Sequence, residues 1–280
     1  MLQANACTVH SARPHPCREF PLTAHVGVRL QATVVLSCPG VELGVLQGYP
    51  AGDRPDAPLG FPTELLALRE RVDRSSVRRL EASRRRRRKI ARQLESEGRW
   101  VEEDEVRHLL RRKTPLPTDE DFPASDPPPA EDGVDLLPLF FDGRPAPVAL
   151  SEGLGGWEVH ELAPEGGLAR PLGVFPPPDR MPRLGDEAVA VLRGYLRYWL
   201  ERDALFGAVH LRMMDARDGE VTDHVEEELR SIGALVVARA VVRAKLRRGE
   251  SDHVSAVDLE EGVRATDQDL LDRGSWGDRF

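Results

Sequence analysis

The residues whose types and spacing most clearly suggest a chemical role are six consecutive cations, Arg84 to Lys89. Arginine side chains bind phosphate oxygens through paired hydrogen bonds, and each phosphate contact releases counterions from a nucleic acid. The surrounding block, residues 69–113, contains 17 basic and nine acidic residues and has a charge of +8, whereas the whole chain carries -8. This contrast predicts a polyanion-binding surface on an otherwise acidic protein.

We expect the phosphate contacts to come from the cation run and from basic residues on either side of it. Because six adjacent residues cover every face of a helix, we expect the turn that contains the run to be solvated on all sides. The expected nucleic-acid-binding residues are Arg78, Arg79, Arg84, Arg85, Arg86, Arg87, Arg88, Lys89, Arg92, Arg107, Arg111 and Arg112.

Residues 90–112 have the outline of two short helices around a tight turn, which is typical of helix-turn-helix proteins. The second helix begins with four acidic residues, 102–105, which would face phosphates in the usual docking geometry. If this unit binds DNA, the contacts must come from Arg107, Arg111 and Arg112 or from the preceding run.

Other residue types with metal-binding potential are arranged unfavourably. The two Glu-x-x-His sequences, Glu105–His108 and Glu250–His253, would suit a di-iron centre in a bundle core, but both lie in polar surroundings. Four cysteine and histidine residues that could bind zinc lie within eleven residues, but no second cluster of ligands is available to join them: Cys7, His10, His15 and Cys17. The sequence also lacks a phosphate-binding loop and a nucleophile motif. We therefore expect no metal and no cofactor.

The element expected to precede the basic block is a β-hairpin. Apolar and polar residues alternate over 26–36, a turn follows at 38–40, and the alternation returns over 41–45. Residues 1–21 are expected to form a disordered tail before this hairpin.

Two helices are expected to carry the basic block. Thr63 can cap a long helix that continues to about Ser96, and Gly98 follows in the usual position for a helix end. The second helix runs from about Val101 to Lys113, with acidic residues in its first turn and basic residues in its last.

The remaining chain divides into a linker, a small β region and a set of helices. Residues 114–135 carry seven acidic side chains, six prolines and no basic residue, which is typical of an acidic linker. Short apolar runs predict strands at 136–141, 147–150 and 157–162, and longer apolar periods predict helices at 186–203 and 221–248. Ser255 can cap a third helix, with Asp258 in an Asp variant of the capping box.

The order of elements in residues 221–265, a long helix, a short polar loop and a capped short helix, is similar to the last two helices of histone folds and of many ATPase lid domains. The similarity covers under a fifth of the chain, and we assign no family from it. Four valines span more than one face of the long helix, so we expect it to be buried on two sides, within the monomer or in a dimer. The valines are Val236, Val237, Val241 and Val242, and the aromatic residues Tyr195, Tyr198 and Trp199 are expected to be core.

We therefore predict a mainly helical α+β protein in four parts: a tail (1–21), a β-hairpin with a basic helical arm (22–113), an acidic linker (114–135), and a small irregular β region with a helical bundle (136–280). The sequence shows no transmembrane or secretory segment and has three cysteines, which favours a cytoplasmic location. The leading hypothesis is a non-enzymatic nucleic-acid-associated protein. The alternative is a protein-assembly or adaptor subunit, with a possible homo-oligomer through the C-terminal helices, and an enzyme of unknown class is third.

Overall fold

The architecture of the protein is mainly helical. The computed structural model describes residues 2–3, 6–7, 22–26, 30–34, 36, 74–122, 137–141, 144–153, 156–162, 168–175, 178–215, 218–249 and 252–272. Within these residues the α-helices are α1 (Arg74–Ser96), α2 (Glu103–Arg112), α3 (Asp186–Leu200), α4 (Asp203–Asp215), α5 (Val221–Arg248) and α6 (Ala256–Asp272), and a short 3-10 helix covers Asp119–Asp121.

Within the described residues, the β structure consists of one four-stranded antiparallel sheet and pairs of short strands. The strands are β1 (Leu2–Gln3), β2 (Ala6–Cys7), β3 (Leu22–Val26), β4 (Leu30–Val34), β5 (Leu137–Phe141), β6 (Arg144–Gly153), β7 (Gly156–Leu162), β8 (Leu168–Phe175), β9 (Arg183–Leu184) and β10 (His253–Val254). Strands β5 to β8 form a four-stranded sheet in chain order, and β9 pairs in parallel with β10. Three of the sheet strands were predicted from the apolar runs, and β8 was not.

The N-terminal pairing differs from the expected one where it is described. Strand β3 is antiparallel to β4, with Val26 opposite Leu30, whereas residues 26–36 were expected to form one continuous strand. The predicted turn at 38–40 and the return strand at 41–45 lie outside the described residues, as does the predicted helix cap Thr63. The predicted hairpin therefore stays a prediction.

The helices α3, α5 and α6 agree with the sequence prediction, but α4 was missed. Most residues along the middle of α4, among them Leu205, Phe206 and Val209, are fully buried. A helix that is enclosed on several sides has no polar face, and the periodic signal that reveals amphipathic helices is then weak.

The hydrophobic core lies among α3, α4, α5 and α6 and also receives side chains from α1 and α2. Tyr195 and Trp199 are fully buried and pack edge to face, with ring centroids 6.4 Å apart. The four valines of α5 predicted to need two-sided burial are all buried within this single chain. That burial leaves the predicted dimer without support from this helix.

A buried ion pair joins α6 to the start of α4. Asp267, on α6, accepts a hydrogen bond from Arg202 at 3.1 Å and another from the backbone N–H of Leu36 at 2.7 Å. Arg264 donates to the carbonyl oxygen of Leu36 at 2.8 Å. Both backbone groups of the buried Leu36 are thus satisfied by α6, which fastens an N-terminal residue to the C-terminal helix.

The α5–α6 connection is held by the predicted capping box. The Ser255 hydroxyl accepts from the Asp258 backbone at 3.2 Å, and the Asp258 carboxylate accepts from the Ser255 backbone at 3.1 Å. Asp258 also pairs with Arg243 and Arg248. Burial alone would raise the pKa of Asp258, but the bonds from Arg248, Ser255 and Arg243 outweigh it and hold the pKa below its ordinary value.

The first residues of the predicted acidic linker pack against the helices. Thr114, Pro117 and Phe122 are buried, and Asp121 pairs with Arg230 of α5 at 3.5 Å. Residues 114–122 therefore form part of the packed body, and the rest of the predicted linker lies outside the described residues.

Helices α5 and α6 pack closely against each other at Gly262. A Cβ atom at this position would lie 2.5 Å from the carbonyl oxygen of Val236. We expect Gly262→Ala to lower the free energy of unfolding in urea by about 2 kcal/mol, because the two helices must separate. At the exposed helix cap Gly185, where no atom lies within 4 Å of the new Cβ, the same change should cost only about 0.5 kcal/mol. Equal losses for the two variants would contradict this packing.

Candidate nucleic-acid interface

Helix α1 displays basic side chains over most of its surface. Ile90 and Leu94, one turn apart, are buried in the core and fix the direction in which the helix meets the bundle. The side chain of Arg79 is not among those described. Among the side chains of α1 that the structure describes, the exposed cations are Arg78, Arg84, Arg85, Arg86, Arg88, Lys89 and Arg92.

Within the cation run, Arg87 faces the bundle. Its Nη2 lies 2.5 Å from Oε1 of Glu103 at the start of α2, and its guanidinium carbon lies 5.8 Å from the centre of the Trp100 ring. The expectation that this turn is solvated on all sides is therefore wrong at Arg87. A helix that buries Ile90 must also direct a neighbouring residue of the run inward, and here a carboxylate and an aromatic ring receive it.

Glu103 binds a second arginine from its own helix. Arg107 lies one turn further along α2, is 3% exposed, and places its Nη2 3.3 Å from Oε2 of Glu103. The same guanidinium pairs with Asp203 at 3.3 Å and lies 4.4 Å from the centre of the Phe206 ring. Arg107 also donates to the carbonyl oxygen of Leu200 at 3.2 Å. Its hydrogen bonds are thus made inside the molecule, not to a phosphate.

The two remaining cations expected on α2 differ in their surroundings. Arg111 makes a two-pronged contact with Glu201, with distances of 2.6 and 2.7 Å. This geometry matches the carboxylate to the guanidinium fork and fastens α2 to the end of α3. Arg112, in contrast, is exposed. The structure therefore brings the cations of α1 together on one surface, but it places Arg107 and Arg111 in contacts that hold the bundle.

A histidine that the sequence analysis did not single out lies beside Glu103 and Trp100. His210 of α4 is 1% exposed, and its ring centre is 4.9 Å from that of Trp100. Its Nδ1 is 3.9 Å from Oε1 of Glu103. Burial, together with the positive charges of Arg87 and Arg107, lowers the pKa of His210 to about 3. The ring is neutral at physiological pH.

The helix-turn-helix outline is present, but the second helix has a structural role. Helix α1 ends at Ser96, and Gly98 adopts a left-handed conformation with φ +69°. Helix α2 then packs on α3 and α5. Its acidic first turn meets Arg87 through Glu103, so the start of this helix faces the protein's own cations.

The metal-binding alternatives gain no support from the described residues. Among these residues, no group of three or more His, Cys, Asp or Glu side chains is arranged to hold a metal ion. Glu105, His108 and His253 are exposed. Cys7 lies in β2, while His10, His15, Cys17 and Glu250 lie outside the described residues.

Comparisons with known proteins provide no relative for this chain. No protein-family model, no curated protein and no solved structure matches it. None of the described helices is long and apolar enough to cross a membrane. Functional inference therefore depends on the geometry of the chain itself.

The first test of this site concerns the carboxylate that holds α1. We expect Glu103→Gln to lower the free energy of unfolding by about 2–4 kcal/mol, because Arg87 and the buried Arg107 lose their shared counter-charge. Hydrogen exchange at the amides of Ile90 and Leu94 should accelerate. The exposed Glu105→Gln on the same helix should change stability by less than about 0.5 kcal/mol. Equal effects of the two variants would contradict the role of Glu103 in holding α1 to the bundle.

The second test uses pH. The ordinary pKa of His210 is 6.5, and burial lowers it to about 3 in the folded protein. As the pH falls below 6.5 towards 3, the unfolded chain binds a proton at His210 that the folded chain excludes. The free energy of unfolding therefore has its full value above the ordinary pKa and decreases as the pH falls towards 3. Between about pH 7 and 5, the wild type should lose about 2 kcal/mol more than His210→Phe in urea titrations. Parallel pH profiles would show that His210 is not buried in its neutral form.

Proposed function

We propose that the protein is a non-enzymatic nucleic-acid-associated protein that binds the phosphate backbone through α1. The observation that carries the proposal is the position of the exposed cations on α1, away from the buried stripe at Ile90 and Leu94. Basic residues that hold the fold, such as Arg107 and Arg111, are set apart from this surface. The retained contact residues are Arg78, Arg84, Arg85, Arg86, Arg88, Lys89, Arg92 and, on α2, Arg112.

The spacing of the cations on α1 disfavours the helical conformation when no anion is bound. Arg84, Arg88 and Arg92 follow one another at intervals of four residues, and Arg85 and Lys89 form another such pair. Like charges at this spacing destabilise a helix by about 0.2–0.5 kcal/mol per pair. Arg85 has Glu81 at 3.7 Å, but this ion pair is exposed and contributes little. Bound phosphates would relieve the repulsion, which makes a polyanion the natural partner of this surface.

The adaptor alternative receives less support from the structure. The valine-rich faces of α5 are buried within the monomer, so they offer no surface to a partner. The large exposed apolar side chains among the described residues lie on three different elements, and scattered apolar residues are normal on a protein surface. They are Leu109, Leu172, Val174 and Val257.

The direct test measures binding of a fluorescent mixed-sequence DNA duplex by anisotropy. We expect the wild type to bind at about 50 mM salt, and the triple variant Arg84→Gln, Arg85→Gln, Arg88→Gln to bind about tenfold or more weakly, because three phosphate contacts are lost. The three side chains are exposed, so circular dichroism should show an unchanged fold.

A matched triple variant controls for net charge. Arg170, Arg180 and Arg183 are also exposed but lie on the β8 and β9 side of the protein. Their replacement by Gln removes the same charge and should leave affinity within about twofold of the wild type. Equal losses for the two triples would indicate an unspecific charge effect, and the absence of wild-type binding at low salt would reject the proposal.

A further inference from the structure

The directions of the cations around α1 restrict the kind of nucleic acid that fits it. Successive residues of an α-helix are rotated by about 100°, so the seven exposed cations cover an arc of about 200° centred away from Ile90 and Leu94. Arg84 and Arg88 lie at one edge of this arc, and Arg86 and Lys89 lie at the other. The mean directions of the two pairs differ by about 150°. The remaining exposed cations, Arg78, Arg85 and Arg92, lie between them.

Cation pairs on opposite flanks of one rod match two rows of phosphates better than a single row. The two walls of a nucleic-acid groove provide such rows, with the base edges between them. The major groove of B-form DNA is about 12 Å wide and admits an α-helix, whose diameter with side chains is about 10–12 Å. The major groove of A-form RNA is too narrow and deep for side chains to enter.

The surface also lacks the features that favour a single strand. Proteins that bind single strands stack bases on exposed aromatic side chains. The sequence of α1 contains no aromatic residue, and the nearby Trp100 is partly buried beneath Arg87 and beside His210.

Acidic residues limit the part of α1 that a nucleic acid can approach. Glu95 and Glu97 at the end of the helix, and Glu102 and Asp104 beyond it, are all exposed. Their repulsion confines phosphate contacts to residues 78–92, which span about 21 Å of helix. This length is enough for α1 to follow one major groove across several base pairs.

We infer that α1 lies in the major groove of B-form DNA, with Arg84 and Arg88 on one phosphate wall and Arg86 and Lys89 on the other. The inference rests on the proposed function and names its ligand as duplex DNA. Arg78, Arg85 and Arg92 lie between the two flanks, where their long side chains can reach the phosphates of either wall, and the same side of the helix carries Glu81, which pairs with Arg85 at 3.7 Å. The stripe that contains Ile90 and Leu94 stays outside the groove because it is covered by the bundle.

The experiment compares three labelled probes of the same sequence by anisotropy: a DNA duplex, an RNA duplex and a single DNA strand. We expect the DNA duplex to bind at least about tenfold more tightly than either other probe at equal salt. An RNA duplex or a single strand that binds as tightly would overturn the inference while leaving phosphate binding intact. If no probe binds, the proposed function is wrong and the inference falls with it.

Two matched double variants test the groove geometry. Arg84→Gln with Arg88→Gln removes one flank, and Arg86→Gln with Lys89→Gln removes the other. Contact with both walls predicts similar losses of duplex affinity, about three- to tenfold for each pair. A loss confined to one pair would mean that the helix contacts a single strand of phosphates, and the groove assignment would be rejected. Circular dichroism checks that both variants keep their helix content.

Discussion

The shared ion pair at Glu103 is the contact on which the display of the basic helix depends. Among the described side chains of α1, the buried apolar ones are Ile90 and Leu94, and Glu103 adds a charged contact between α1 and α2 next to His210 of α4. The nearly buried carboxylate of Glu103 stabilises Arg87 and, together with Asp203, the buried Arg107. Together with the buried Ile90 and Leu94, this ion pair determines which side of α1 meets the bundle, and therefore which cations remain on the outside.

Arginine has three distinct roles in this protein, and the surroundings decide between them. Arg202 and Arg243 lie in the core, where each meets a fully buried carboxylate, Asp267 or Asp258. Arg111 joins elements at the edge of the bundle, whereas Arg85 and its exposed neighbours on α1 face solvent. A chain with 36 arginines and a charge of -8 can still present a basic surface, because exposed cations are concentrated on α1.

Much of the helical part could be predicted from the sequence, since periodic apolar residues and end signals act locally. The capping box of Ser255 and Asp258 and the helix end at Gly98 are of this kind, and α5 agrees with its predicted bounds. The burial of α4 could not be predicted, because a helix enclosed on several sides shows no period. The paired carboxylates of Arg107 and Arg111 come partly from Asp203 and Glu201, about ninety residues further along the chain, and no local pattern reveals them. The sequence could therefore locate the cations but could not separate those that hold the fold from those that face outward.

The salt dependence of duplex DNA binding tests the central claim most directly, because it counts phosphate contacts without assuming their identity. A plot of the logarithm of the association constant against that of salt concentration should be linear, with a slope of about -4 to -6 for the exposed cations of α1. Replacing Arg84, Arg85 and Arg88 by Gln should reduce the magnitude of that slope by about 2–3. A slope near zero, or one that the three substitutions leave unchanged, would contradict the account.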